Sequence, residues 1–124
     1  SQTALFPLAS LAYHDYEGVA LREDEKARLV ADLADKTYLI LRNHGTLAVG
    51  ASVADAFLHM FVLERACRIQ ALAQSGGASL IQLPASLVEG IMAQAEQATN
   101  GLGGQIAWPG LLRKLDRLDA SFRD

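Results

Sequence analysis

The chain is short of several things, and each shortage excludes a class of protein. Its 124 residues include one cysteine, Cys67, so no disulfide can form within the chain. Basic residues are in the minority: 11 Lys and Arg against 14 Asp and Glu, a formal charge of −3. That balance lacks the positive footprint of a nucleic-acid binder. No apolar run approaches the length of a membrane span, and no charged-then-apolar signal segment opens the sequence. The expected setting is therefore the cytoplasm, without a membrane partner. There is no internal repeat and no low-complexity stretch. The Gly-x-Gly-Gly at 101–104 is not a phosphate loop, because no strand precedes it and no Lys-Ser/Thr follows. A helix cap or hinge is the expected role for those glycines.

Half of the residues are apolar and a fifth are charged, the make-up of an ordinary globular domain. The most informative stretch is Thr37–Gly50. Two apolar runs, Tyr38–Leu41 and Thr46–Val49, flank the turn Arg42-Asn43-His44-Gly45. Short apolar runs ended by a glycine-bearing turn read as two strands of a hairpin. His44 then sits at a sheet tip, where a rigid scaffold can aim it. Neutral imidazole is both a common metal ligand and a near-neutral acid or base. A histidine beside glycine also makes a plain hairpin tip, and one imidazole falls short of a zinc site, which needs three or four converging donors.

Around this stretch the other elements read as follows. Leu5–Tyr13 is apolar with Pro7 near its start, an expected strand or extended segment. His14–Gly18 is polar and ends in glycine; His14 beside Asp15 and Glu17 could form a metal or proton-transfer cluster, but a solvated loop is the preferred reading. Glu23–Ala34 is a helix whose three opening acids suit its dipole, with an apolar stripe at Ala27, Val30, Leu33 and Ala34. Ser52 caps a long helix from Val53 to about Gln74, stopped by Gly76-Gly77. Two apolar lines, one through Val53, Phe57, Met60, Phe61 and Cys67 and one through Leu58, Val62, Ile69 and Leu72, suit a helix covering the sheet. His59 is one turn after Asp55, which predicts a surface pair, and Glu64 is expected to pair with Arg68. Ala78–Leu83 is a connector. Pro84–Ala98 is a third helix, weakened at Gly90. Trp108–Phe122 is a terminal helix with Leu111, Leu115, Leu118 and Phe122 on one side.

The stretch Leu-Arg-Asn-His-Gly-Thr-Leu-Ala-Val-Gly, followed by a helix holding Leu-Glu-Arg-Ala-Cys-Arg-Ile-Gln, resembles the C-terminal half of the class II aldolase/adducin family. The ending Ala-Trp-Pro-Gly-Leu-Leu-Arg-Lys-Leu-Asp-Arg-Leu-Asp resembles that family's adducin-like bacterial branch. The resemblance implies an α/β fold of α/β/α layers with a mainly antiparallel sheet. Residues 1–77 would be the second half of the family domain, and 78–124 a C-terminal helical extension. It implies that His44 is the third ligand of a Zn2+ or another divalent metal. The other two ligands, a His-x-His pair, and an acid/base glutamate belong to a first half outside this chain. It further implies a small-molecule carbonyl substrate, a homo-oligomer (a tetramer), and a role for Tyr16 across a subunit interface. The chain is thus expected to be part of a longer metal-dependent lyase and inactive in isolation. The alternative is a non-catalytic, adducin-like association module.

Overall fold

A computed structural model describes residues 1–19, 23–77, 79–100 and 102–123. The chain opens with helix α1, Gln2–Ala9, capped by the Ser1 hydroxyl, which accepts from the Ala4 N–H at 3.3 Å. Strand β1 follows at Leu11–His14. The expected extended segment over Leu5–Tyr13 is therefore divided between a helix and a strand. A continuous apolar run does not distinguish a strand from a buried helix. Here the Ser1 cap and the packing of α1 on a later helix decide for helix, with Pro7 buried inside it.

Helix α2, Glu23–Leu33, carries the chain across to strand β2, Tyr38–Leu41, which lies parallel to β1 in the register Leu11↔Tyr38 to His14↔Leu41. Strand β3, Gly45–Ala48, returns antiparallel, pairing Leu41↔Gly45 to Tyr38↔Ala48. The sheet order is β1-β2-β3. The expectation of a mainly antiparallel sheet needs correction: one ladder is parallel and one antiparallel. Parallel neighbours require a crossover, and α2 supplies it.

Helix α3 spans Val53–Ser75, one residue beyond its predicted end. Ser52 caps it as expected, its hydroxyl accepting from the Asp55 N–H at 3.2 Å and donating to the Asp55 carboxylate at 2.7 Å. Gly76 closes it and Gly77 takes φ +70°, a left-handed angle that glycine adopts freely. Successive strand residues point to opposite faces. His14 turns towards α2, while Tyr13 and Ile40 share a groove with Leu63 and Ala66 of α3. Helices therefore cover both faces of the sheet. The line that α3 buries is Ala54, Leu63 and Ala66, whereas Val53 and Phe61 of the predicted line are exposed. At Ala54 the small side chain lets the backbone of a later segment come close. Leu39 and Leu63 are the largest fully buried side chains.

The predicted third helix is two, α4 (Ala85–Glu89) and α5 (Ile91–Thr99), separated at Gly90. Helix α6 starts at Gly104, four residues before its predicted start, and runs to Leu118 before a short 3-10 turn at Ala120–Arg123. The glycines before it serve contact as well as chain reversal. A Cβ at Gly104 would stand 2.2 Å from the Ala54 carbonyl oxygen, so only glycine fits where α6 meets α3. The Gly104 N–H donates to Asp55 Oδ1 at 2.9 Å, and Trp108 meets Phe57 edge-on at 5.6 Å. Gly101 of the predicted hinge and Ala78 of the predicted connector lie outside the described residues.

Candidate metal-ligand turn and its buried charge cluster

The turn between β2 and β3 is one residue shorter than predicted: Arg42, Asn43 and His44, with Gly45 already in β3. The His44 N–H donates to the Leu41 carbonyl at 3.0 Å. Asn43 stands at φ +55°, the left-handed angle that the second central place of such a turn requires and that Asn tolerates. His44 is exposed at the tip.

The end of β1 grips the first turn residue in three ways. Arg42 N–H donates to the His14 carbonyl at 2.9 Å. Arg42 Nε is 3.0 Å from Asp15 Oδ1, and the guanidinium lies over the Tyr13 ring, 4.9 Å from its centroid. Both side chains of the ion pair are largely exposed, so that contact alone contributes little stability.

Behind this grip lies a cluster that the sequence reading placed in solvent. His14 is the last residue of β1 and only 3% exposed. Its Nδ1 is 2.7 Å from Asp32 Oδ2. Its Nε2 carries no hydrogen bond and faces Glu25 Oε1 at 3.7 Å and Glu17 Oε1 at 4.0 Å. Glu25 is itself 7% exposed. Arg28 completes the group, with Nε 2.6 Å from Glu17 Oε1, a second contact from Nη2 to Glu17, and Nη1 3.1 Å from Asp24. Glu17 first, then Asp24, holds this guanidinium even more firmly protonated than usual.

Two expectations fall here. Of the three opening acids of α2, which the sequence places at an exposed helix start, Glu25 is buried. Most of the predicted apolar stripe of α2 is turned outward: Val30 is 71% exposed and Ala27 and Ala34 are exposed, while Leu33 is half-buried. The signal that could have found the true face is the spacing of Glu25, Arg28 and Asp32 at i, i+3 and i+7, one side of a helix. A buried histidine at the end of β1 gives that charged side a partner.

Other candidates also move. His59 Nδ1 meets the Val49 carbonyl at 2.7 Å, and its ring meets Tyr38 edge-on at 5.5 Å. Asp55, its expected surface partner, hydrogen-bonds Ser52 and Gly104 and feels His59 through charge alone. Glu64 accepts from the Thr46 hydroxyl at 2.5 Å, a cross-element contact where an in-helix ion pair was predicted. Cys67 is half-buried, and burial raises its thiol pKa above the usual value, as suits an unreactive thiol. Tyr16 is half exposed. It shares with His14, Glu17, Glu25, Arg42 and His44 a small crevice.

Among the described residues, no three His, Cys, Asp or Glu side chains stand together as a set that could hold a metal ion. His44 fits one place in such a set: an outward imidazole on a turn fixed by both neighbouring strands. No described helix is long and apolar enough to cross a membrane.

Comparisons with known proteins agree on the relationship. The model of the class II aldolase and adducin N-terminal domain matches residues 2–71. The chain is 54% identical over 126 residues to a putative aldolase class 2 protein of Pseudomonas aeruginosa, covering 99% of this chain and 49% of that protein. It is 37% identical over 123 residues to alpha-adducin of Rattus norvegicus, covering 90% of this chain and 17% of that one. The crystal structure of an aldolase II superfamily protein from Pseudomonas syringae superposes with TM-score 0.88 at 43% identity, over 100% of this chain and 50% of that chain. An L-fuculose 1-phosphate aldolase from Glaciozyma antarctica PI12 shares the fold at TM-score 0.56 and 23% identity, over 71% and 32% of the two chains. The chain spans about half the length of the bacterial relatives it matches. By its fold, its turn and these matches, the chain belongs to the class II aldolase and adducin family.

Proposed function

We propose that this chain is part of a divalent-metal-dependent lyase of the aldolase type, and that His44 supplies one imidazole to a Zn2+ or similar ion. The observation that carries the reading is the placement of His44: exposed, at the tip of a tight turn, and braced by β1 through Arg42. The family relationship supports it. The ion, when bound, supplies Lewis acidity that polarises a substrate carbonyl. The residues of this chain do the rest of their share by geometry. The turn fixes the direction of the His44 ring, and Tyr16 stands ready to offer its hydroxyl to a sugar-like carbonyl substrate. In a homotetramer that hydroxyl would serve a neighbouring subunit's site. The protein would act in the cytoplasm, and this chain alone, holding one donor of the set, would be inactive.

The test is His44→Ala in the full-length protein. Metal content per subunit and carbon–carbon cleavage should fall together, with stability unchanged to within about 0.5 kcal/mol, as for a surface side chain. Full metal and full activity in the variant would refute the reading.

A second reading, an adducin-like association module, rests on a different observation. Val53, Phe57 and Phe61 are spaced a turn apart on α3 and are 74%, 45% and 54% exposed. An apolar line of that kind marks a contact surface. Under that reading Phe61→Asp would disperse the oligomer, and metal removal would change nothing.

A further inference from the structure

We propose that His14 is a positioning residue for His44. This rests on the reading of His44 as a metal ligand and assigns a task to a buried group that the reading leaves unused. The His14 side chain and its carbonyl face different partners. The imidazole is tied to α2, with Asp32 at 2.7 Å from Nδ1 and the buried Glu25 at 3.7 Å from Nε2. The carbonyl receives the N–H of Arg42, the residue that begins the turn. The next two residues after Arg42 are Asn43, at a left-handed angle, and His44. The tip of the turn is thus suspended from a strand end that is pinned from behind by a helix.

The burial makes the pin specific. Nε2 has no hydrogen bond, yet Glu25, 7% exposed, has this imidazole as its ion-pair contact. Buried carboxylates demand a partner. Removing the imidazole takes from Glu25 its ion-pair contact among the described residues, so α2 and the end of β1 shift apart to let water reach the carboxyl group. That shift is passed to Arg42 through the carbonyl bond and through the Asp15 and Tyr13 contacts on either side. A first ligand must be held within about half an ångström of its productive place, so a small displacement matters to the metal before it matters to the fold.

The experiment uses the full-length protein loaded with Co2+, whose visible spectrum reports ligand geometry and whose titration reports affinity. Five proteins are compared: wild type, His44→Ala, His14→Phe, His14→Asn and Leu63→Ala. Leu63 is 2% exposed, and its truncation loosens the α3 side of the sheet without touching α2. We expect His14→Phe to weaken Co2+ binding about tenfold, the low end of what groups orienting a ligand contribute, and to shift the spectrum. His14→Asn, which keeps a donor where Nδ1 stands, should recover part of both. Leu63→Ala should destabilise the protein and leave spectrum and affinity as in wild type. If His44→Ala weakens binding while His14→Phe leaves affinity and spectrum unchanged, the positioning role is wrong and the ligand reading stands. Equal loss in Leu63→Ala and His14→Phe would also overturn it, since general loosening would then explain the effect. If His44→Ala binds Co2+ as wild type does, the ligand reading fails, and this inference with it.

Discussion

Replacing Gly104 with alanine should undock α6 from α3. The added Cβ would stand 2.2 Å from the Ala54 carbonyl oxygen, 2.3 Å from its carbon and 2.6 Å from the Asp55 nitrogen. All three are backbone atoms, so no side-chain rotation relieves the clash, and the helices must separate by about an ångström. Overpacking of this kind costs about 1–3 kcal/mol. The separation also lengthens the bond from Gly104 N–H to the Asp55 carboxylate. The overpacking alone is a sizeable share of the roughly 5–15 kcal/mol typical of a whole domain. Trp108, the sole tryptophan, sits on α6 against Phe57, so its fluorescence follows the docking directly. In urea the variant should lose the Trp108 signal at lower concentration than the far-ultraviolet signal of the sheet and α3. Gly110→Ala is the control: a Cβ there meets only the end of the Arg113 side chain at 3.8 Å, and alanine inside a helix should stabilise by up to about 1 kcal/mol. A Gly104→Ala protein with wild-type transitions by both signals would refute the argument.

Two further expectations follow from the same packing. The Asp55 carboxyl is held below its ordinary range, first by the Ser52 hydroxyl and then by the Gly104 N–H. A depressed folded value means the stabilisation is present above the unfolded aspartate range and is lost as pH falls through the folded value. Asp55→Ala should therefore flatten the acid limb of the melting-temperature profile, and an unchanged limb would contradict the assignment. On α2, Val30→Ser should alter stability by less than about 0.5 kcal/mol, while Leu63→Ala on α3 should cost about 2–5 kcal/mol. A denaturant titration giving the opposite order would restore the stripe that periodicity suggested.

Local chemistry made part of the fold readable. Ser52 and the glycine pair at 76–77 bound α3 to within a residue, because a cap and a stop are both short-range signals. The β2–β3 hairpin was equally legible, from a glycine between two apolar runs. What failed was long-range. The pairing of β1 with β2 depends on contacts across the whole of α2, and a period of 3.6 does not say which side of α2 faces the sheet. Val30 belongs to the more apolar side, the one that periodicity alone assigns to the core. The protein buries the other side, where the His14 imidazole, eleven residues before Glu25, stands 3.7 Å from its carboxyl group. Of the candidate site, His44 was recognisable from its turn, while the cluster behind it is visible only once β1 and α2 are brought together.

That cluster also fixes where α2 can sit. A helix docked by grease alone can slip along its groove, since one leucine replaces another at little cost. Here a slide of one turn, about 5.4 Å, would bring Leu29 opposite the imidazole and part Glu25 from it. A buried carboxyl group parted from its partner is disfavoured, and Val30 and Ala27, on the exposed side, gain no burial from the slide. The crossover therefore has one seat, and the parallel register of β1 on β2 is settled along with it.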